Sequence, residues 1–264
     1  MDLHLATKTT FISGSTQGIG LAIAQQLLQE GATVILNGRT QERVSAAVEQ
    51  LAQQVPGASI SGIAADFAQP AQVNDLVAAL PPIDILVNNV GLFELKEFAD
   101  IADEDWRHLF EVNVLSGVRL SRALLPGMLA RNWGRILFIS SEAGINVPGN
   151  MIHYGMTKTA MLAIARGLAE LTKGTGVTVN SLVGGPTYSQ GVAGVIEHIA
   201  SAQNQPVAQV KAGLMQTLNP TSLLQRFIEP SELASLVAYL ASPLSAAING
   251  AALRADGGVL PTIL

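Results

Sequence analysis

Seven short apolar runs punctuate the chain, at residues 9–13, 32–36, 59–64, 84–87, 135–139, 177–182 and 251–254. Each is too short for a buried helix and is flanked by turn-forming residues, so each reads as a strand. Helical stripes lie between them. Residues 21–28 and 40–54 carry one each, the second through Val44, Ala47, Val48 and Leu51. Asp103-Glu104-Asp105 opens a long helix to about residue 130, with Trp106, Phe110, Val114 and Leu120 as its apolar bulk. Residues 152–172 form another helix, and Ser231 is expected to cap a last one over 232–240. Strand alternating with helix predicts crossover units, a parallel sheet and helices on both faces.

Residues 188–229 break this rhythm. Between two regular regions they mix Gly, Gln and apolar residues, the composition of a mobile substrate lid. Val192, Val195, Ile196, Ile199, Leu214, Met215 and Leu218 either line a pocket there for an apolar or ring-containing carbonyl or serve as core. With no internal repeat or linker, residues 1–264 are expected to form one domain.

Composition narrows the options. Hydrophobic residues make up 48% and charged residues 13%, a balance suited to a sheet covered on both sides and to a buried subunit surface. A net charge of -5 supplies no basic footprint, so neither nucleic acid nor an anionic membrane is an expected partner. Zero cysteines exclude disulfides and thiolate chemistry and suit a reducing compartment. Met1-Asp2-Leu3-His4 lacks the pattern of a signal peptide, and a cytoplasmic location is expected. His4, His108, His153 and His198 are scattered without metal spacing, so no metal site is expected, and His153 reads as a bystander pointing away from its neighbour Tyr154.

Candidate chemistry begins after the first strand. Gly14, Gly18 and Gly20 stand between that strand and a helix, where a tight turn leaves the first helical N–H groups open to a pyrophosphate. The spacing differs from the usual dinucleotide fingerprint, and the absence of Gly-Lys-Ser/Thr argues against nucleoside triphosphate hydrolysis. After the second strand the chain reads Asn37-Gly38-Arg39, without the carboxylate that would hold an NAD ribose. Arg39 is suited to a 2′-phosphate, which predicts NADP(H) over NAD(H); the alternative is a solvated loop cation. Asp66 follows the third strand and either accepts from the adenine amino group or caps the helix near residue 70. After the fourth, Asn88 and Asn89 can tie neighbouring loops, and Gly91 lets the backbone approach a flat ring.

Ser140 and Ser141 end the fifth strand, and Tyr154 and Lys158 share a helix face four residues apart. Spacing alone equally describes a surface pair. An ammonium beside a phenol favours the ionised phenol, which makes Tyr154 a candidate general acid. Glu94 and Glu142 read as exposed carboxylates, with the substrate mouth as the alternative position.

Taken in order, Ser13-Gly14-x-x-x-Gly18-x-Gly20, Asp66, Asn88-Asn89-Val90-Gly91, Asn113, Ser141, Tyr154-x-x-x-Lys158, Asn180-Ser181, Gly185-Pro186-Thr187 and Asp256-Gly257-Gly258 resemble the short-chain dehydrogenases/reductases, single-domain branch. The resemblance covers nearly the whole chain. It implies an α/β Rossmann-type, doubly wound parallel sheet and a catalytic tetrad of Asn113, Ser141, Tyr154 and Lys158. Ser141 is preferred to Ser140 because it stands thirteen residues before Tyr154, the family's spacing. Asn113 is then expected to hold a water linking Lys158 to solvent, the alternative being an exposed Asn. Beside the glycines, Arg39 and Asp66, the implied cofactor contacts are Ser15, Gln17, Ile19, Phe67, Asn89, Val90 and Gly91. Tyr154, Lys158, Gly185, Pro186 and Thr187 complete that set.

Ser13 stands where the family usually has Thr, Val90 where it has Ala, and Gly184 where it has Pro; the last departure suggests a looser loop there. The resemblance further implies a homotetramer, or failing that a dimer, through paired long helices. The function expected is NADP(H)-dependent interconversion of a ketone or aldehyde and a secondary alcohol. In it Tyr154 moves the proton, Lys158 lowers its pKa and binds ribose hydroxyls, and Ser141 holds the carbonyl oxygen. The alternatives are an NAD-dependent alcohol dehydrogenase of the same fold and a non-catalytic dinucleotide sensor. The substrate is not readable.

Overall fold

The computed structural model describes residues 1–263. Seven strands form one parallel sheet: β1 (Thr9–Ile12), β2 (Thr33–Gly38), β3 (Ile60–Ala64), β4 (Ile85–Asn88), β5 (Gly134–Ser141), β6 (Val177–Gly184) and β7 (Ala252–Ala255). Their order is β3-β2-β1-β4-β5-β6-β7, so the winding reverses between β1 and β4. An open α/β sheet forms its ligand crevice beyond the strand ends at that reversal.

Alternation along the strands divides the core in two. Ile12, Leu36, Val87, Leu137, Ile139 and Leu182 face one side, where helices α1 (Gly18–Gln29), α2 (Gln41–Gln54) and α9 (Pro230–Ala241) cover them. Phe11, Ile35, Leu86, Ile136, Phe138 and Val179 face the other, beneath α3 (Pro70–Ala79), α5 (Ser116–Ala130) and α6 (Ile152–Glu170). A strand buried on both faces has no polar side to show, which is why these segments read as continuous apolar runs.

Three local expectations are corrected. The helix expected over 103–130 is three pieces: α4 (Asp103–Phe110), a π-helical turn (Glu111–Leu115) and α5. Such a turn re-aims its side chains within an otherwise continuous helix, and it contains Asn113. Ser231 does not cap α9. The helix starts at Pro230, and the Glu232 carboxylate reaches back to accept the Glu229 N–H at 2.8 Å.

Gly184 is not part of a loose loop. It is the buried last residue of β6, in register with Ser141 on one side and Ala255 on the other. In the 188–229 segment, α7 (Gln190–Gln203) and α8 (Val207–Leu218) close over their own small core of Ile196, Ala200 and Val210, with Val192, Ile199 and Leu214 against it. Met215 is buried, whereas Val195 and Leu218 are exposed. Among the described residues, no helix is long and apolar enough to cross a membrane.

Candidate functional site

A cleft of about 430 Å³ opens at the carboxyl ends of the central strands. Its first wall is the β1–α1 turn. Gly14 adopts φ +61°, and a Cβ there would approach the Val90 Cα to 2.9 Å. A Cβ on Gly20 would fall 2.5 Å from the Asn89 Nδ2 and 2.6 Å from the Gly14 oxygen. Glycine therefore lets α1 begin hard against the end of β4. Gln17 precedes the helix without a side-chain capping bond, so the first N–H groups of α1 face the cleft free of a protein acceptor at that cap. A turn that any side chain would fill, feeding an uncapped helix start, fits a dinucleotide's pyrophosphate.

Short polar side chains hold this wall to its neighbours. Ser13 Oγ accepts the N–H groups of Asn89 and Val90 at 3.0 and 3.1 Å. Asn89 Nδ2 donates to the carbonyls of Ser13 and Gly14 at 2.9 and 2.8 Å, the loop-tying role expected of it. Asn37, whose role was not anticipated, does the same across three strands. It accepts the Gly14 N–H at 3.0 Å and donates to the carbonyls of Ile63 and Ala65 at 3.1 and 3.3 Å.

Arg39 is exposed on the rim beyond β2, and Arg43 joins it one helical turn later. The i, i+4 spacing was the missed signal for that second cation. Asp66 also lines the cleft, but it caps no helix: its Oδ1 accepts the Ala68 N–H at 3.0 Å in a turn before Gln69, the residue that precedes α3. Phe67 lies beside it.

Gln17, Gly18, Ile19, Val90, Gly91, Gly185 and Thr187 line the cleft, whereas Ser15, Gly20, Pro186 and Asn113 do not. Ser15 is a buried peg that donates to the Ile12 carbonyl at 2.8 Å and accepts the Asn37 N–H at 3.0 Å. None of the apolar side chains of α7 and α8 named as pocket candidates lines it either: Val192, Ile196, Ile199 and Leu214 are turned into the small core between those two helices, Met215 is buried elsewhere, and Val195 and Leu218 are exposed.

At the other end the cleft gathers Ser141, Tyr154 and Lys158. Lys158 is buried, and its Nζ donates to the Ile139 carbonyl at 2.9 Å while lying 5.6 Å from the Tyr154 ring centre. Asn113 is buried in its π turn, not exposed. It accepts the Leu92 N–H at 2.7 Å and donates to the Leu92 carbonyl at 2.9 Å and to Thr157 Oγ1 at 3.0 Å. Ser140 also lines the cleft, but its Oγ donates to the Lys158 carbonyl at 2.9 Å, a structural role. Phe93 meets the Tyr154 ring edge-on, with centres 6.3 Å apart.

Glu142 departs from its expected exposure. It is partly buried, and Ser141 Oγ donates to its Oε2 at 2.7 Å. Glu94 is exposed, as expected. His153 is fully buried beside Trp106, with its Nε2 3.6 Å from a Glu94 carboxylate oxygen.

Burial sets the protonation of this end. It pushes the Tyr154 phenol well above its ordinary value, the Glu142 charge adds to the rise, and hydrogen bonding with Ser141 opposes it. The Lys158 ammonium is lowered to about 8 by burial, against the pull of Glu142.

Strand reversal, glycine turn, uncapped helix start and a half-buried tyrosine beside a buried lysine define a Rossmann-type dinucleotide-binding protein. A family model described as "short chain dehydrogenase" matches residues 8–199. The chain belongs to the short-chain dehydrogenase family and is an oxidoreductase of it. It is 48% identical over 266 residues to the uncharacterized oxidoreductase YvrD of Bacillus subtilis and 46% identical over 263 residues to YvaG of the same organism, each match covering 100% of both chains. L-sorbose reductase from Gluconobacter frateurii, solved with NADPH and L-sorbose, superposes with a TM-score of 0.93 at 29% identity over 100% of both chains.

Proposed function

We propose that the protein is an NADP(H)-dependent carbonyl reductase acting on a small ketone or aldehyde. The observation that carries this reading is the cleft itself, which runs from a pair of arginines at one end to a half-buried, neutral phenol beside a buried lysine at the other. Arg39 and Arg43 would hold a 2′-phosphate, and the start of α1 the pyrophosphate. NADPH in the L-sorbose reductase structure supports the same preference.

When bound, the nicotinamide nucleotide supplies the hydride that reduces a carbonyl carbon. Tyr154 gives its phenolic proton to the carbonyl oxygen as that oxygen gains charge. Because burial keeps the phenol protonated, the site is loaded for reduction, and the reverse reaction must first remove that proton. Ser141 orients the carbonyl oxygen. Lys158 lies close enough to the phenol to stabilise the tyrosinate left after transfer, a charge that forms only during turnover. Asn113 clamps the Leu92 backbone to Thr157 and so fixes the loop over Lys158.

α7 and α8 flank the substrate end as a helical lid, residues 188–229 in all. An apolar groove between α5 and α6, lined by Val118, Leu125, Pro126, Leu129, Ile164, Leu168 and Leu171, supports assembly through these helices into a homotetramer. A panel of ketones and aldehydes, followed by loss of reduced cofactor, tests the reading. At least one carbonyl is expected to be reduced with higher kcat/KM for NADPH than for NADH; a clear preference for NADH would overturn the cofactor assignment.

A further inference from the structure

Glu142 is an ionisable group bonded to a residue of the catalytic end, Ser141, that the mechanism above leaves without a task. Its Oε2 accepts the Ser141 Oγ proton at 2.7 Å, and Ser141 Oγ in turn accepts the Ala143 N–H at 3.1 Å, which occupies one of the serine oxygen's two lone pairs. A serine hydroxyl owns a single proton. Directed at Glu142, that proton is withheld from a substrate carbonyl. A neutral carboxyl reverses the arrangement: it donates to the second lone pair of Ser141 and leaves the serine's own proton free to point at the carbonyl oxygen.

We propose that Glu142 is a positioning residue that sets the direction of the Ser141 hydroxyl, turning it toward substrate as a neutral acid and withdrawing it as a carboxylate. This deepens, and rests on, the reductase reading given above. No bond other than the carboxyl O–H changes, and that proton exchanges with solvent through the partly exposed face of Glu142.

The surroundings favour the neutral form. Glu142 opens the short turn Glu142–Gly144 at the end of β5, facing Tyr154 and Lys158 of α6 and Asp256 beyond β7. Burial raises its pKa above the usual carboxylate range, and Asp256 pushes the same way; the Ser141 hydroxyl and the N–H groups of Glu142 and Ala143 pull it down. Asp256 is itself paired with Arg254 at 2.9 Å. As pH rises through the Glu142 pKa, Ser141 loses its free proton and kcat/KM for reduction falls. Tyr154, held far higher by burial, titrates later.

The test compares pH profiles of kcat/KM for NADPH-dependent reduction in the wild type, Glu142→Gln and Glu142→Asp, with circular dichroism melts to confirm folding. A glutamine amide does not titrate, and its NH2 offers Ser141 a donor at every pH. The wild type is expected to lose activity roughly tenfold per pH unit beyond the limb set by Glu142. Glu142→Gln should lack that limb and keep only the one set by Lys158, displaced downward because the carboxylate's pull on the ammonium is gone. Glu142→Asp, whose carboxyl again titrates, should show a displaced limb, and it carries the test should Glu142→Gln not fold.

Infrared difference spectra between wild type and Glu142→Gln should also show a neutral-carboxyl stretch that titrates with the kinetic limb. The same limb persisting unshifted in Glu142→Gln, or a carboxylate ionised across the whole active range, would overturn the role of Glu142. Tyr154→Phe, assayed alongside, separates the two failures. Turnover in that variant would sink the reductase reading itself, whereas an inert Tyr154→Phe with an unchanged Glu142→Gln profile would sink only this inference.

Discussion

Lys158 sits where a lysine is costly to keep. Its ammonium is buried, its one protein hydrogen bond runs to the Ile139 carbonyl, and its pKa falls to about 8 from an ordinary 10.5. The sign of the consequence follows from proton counting. Between those values the unfolded chain binds more protons than the folded one, so stability rises with pH, and the burial penalty present below about 8 is relieved above it. Lys158→Met is therefore expected to unfold at higher urea than the wild type at about pH 7, a difference that narrows toward about pH 10, while turnover is lost; a gap independent of pH would contradict this. The rim cations belong to the same level of description. Arg39→Ala or Arg43→Ala should shift the NADPH/NADH ratio of kcat/KM roughly tenfold toward NADH each, since both are exposed and screened. Equal losses with both cofactors would mean that neither arginine meets a 2′-phosphate. Tyr154, Lys158 and Arg39 could be picked out beforehand because their chemistry is carried by spacing and type. The raised pKa of Glu142 could not, because it comes from burial in the folded chain and from the charge of Asp256, more than a hundred residues further along.

The elements meet the site through close approach rather than through large side chains. Gly20 in the first turn of α1 has backbone and the Asn89 amide within 2.8 Å of where a Cβ would stand. Gly20→Ala must push α1 away from β4, and we expect a loss of about 1–3 kcal/mol in stability by denaturant titration together with weaker NADPH binding by fluorescence. An unchanged affinity would show that the start of α1 does not hold the cofactor. Strand and helix positions followed from apolar periodicity almost throughout, because strands buried on both faces leave an unmistakable run. The π turn at Glu111–Leu115 did not: Phe110, expected to share a stripe with Val114 and Leu120, is exposed while those two are buried, and the turn goes with tertiary bonds from Asn113 to Leu92 and Thr157 that no local pattern encodes. The start of α9 was misplaced for a related reason. Ser231 is a good capping residue by type, but Pro230 fits the first helical position and Glu232 satisfies the N–H of Glu229.

For the molecule as a whole, the order β3-β2-β1-β4-β5-β6-β7 places the ends of β1, β4, β5 and β6 around one cleft. Its switch point could be anticipated from the glycine turn after the first strand, whereas the shape of its substrate end could not. The 188–229 segment folds on itself, and its apolar stripe serves that local core instead of the cleft. The same logic applies outside the subunit. The groove between α5 and α6 leaves Leu171 62% exposed beside Leu168, apolar surface that assembly would cover. Leu168→Asp should lower the sedimentation coefficient from that of a tetramer to that of a smaller species; a wild type that sediments as a monomer would remove the proposal. The account as a whole turns on the protonated phenol at the closed end of the cleft. Its most direct test is single-turnover reduction of an active carbonyl by enzyme pre-mixed with saturating NADPH, comparing wild type with Tyr154→Phe. The account predicts unchanged NADPH binding and a rate of cofactor oxidation lower by about 10²–10⁴-fold in the variant, and a variant that oxidises NADPH at the wild-type rate would contradict it.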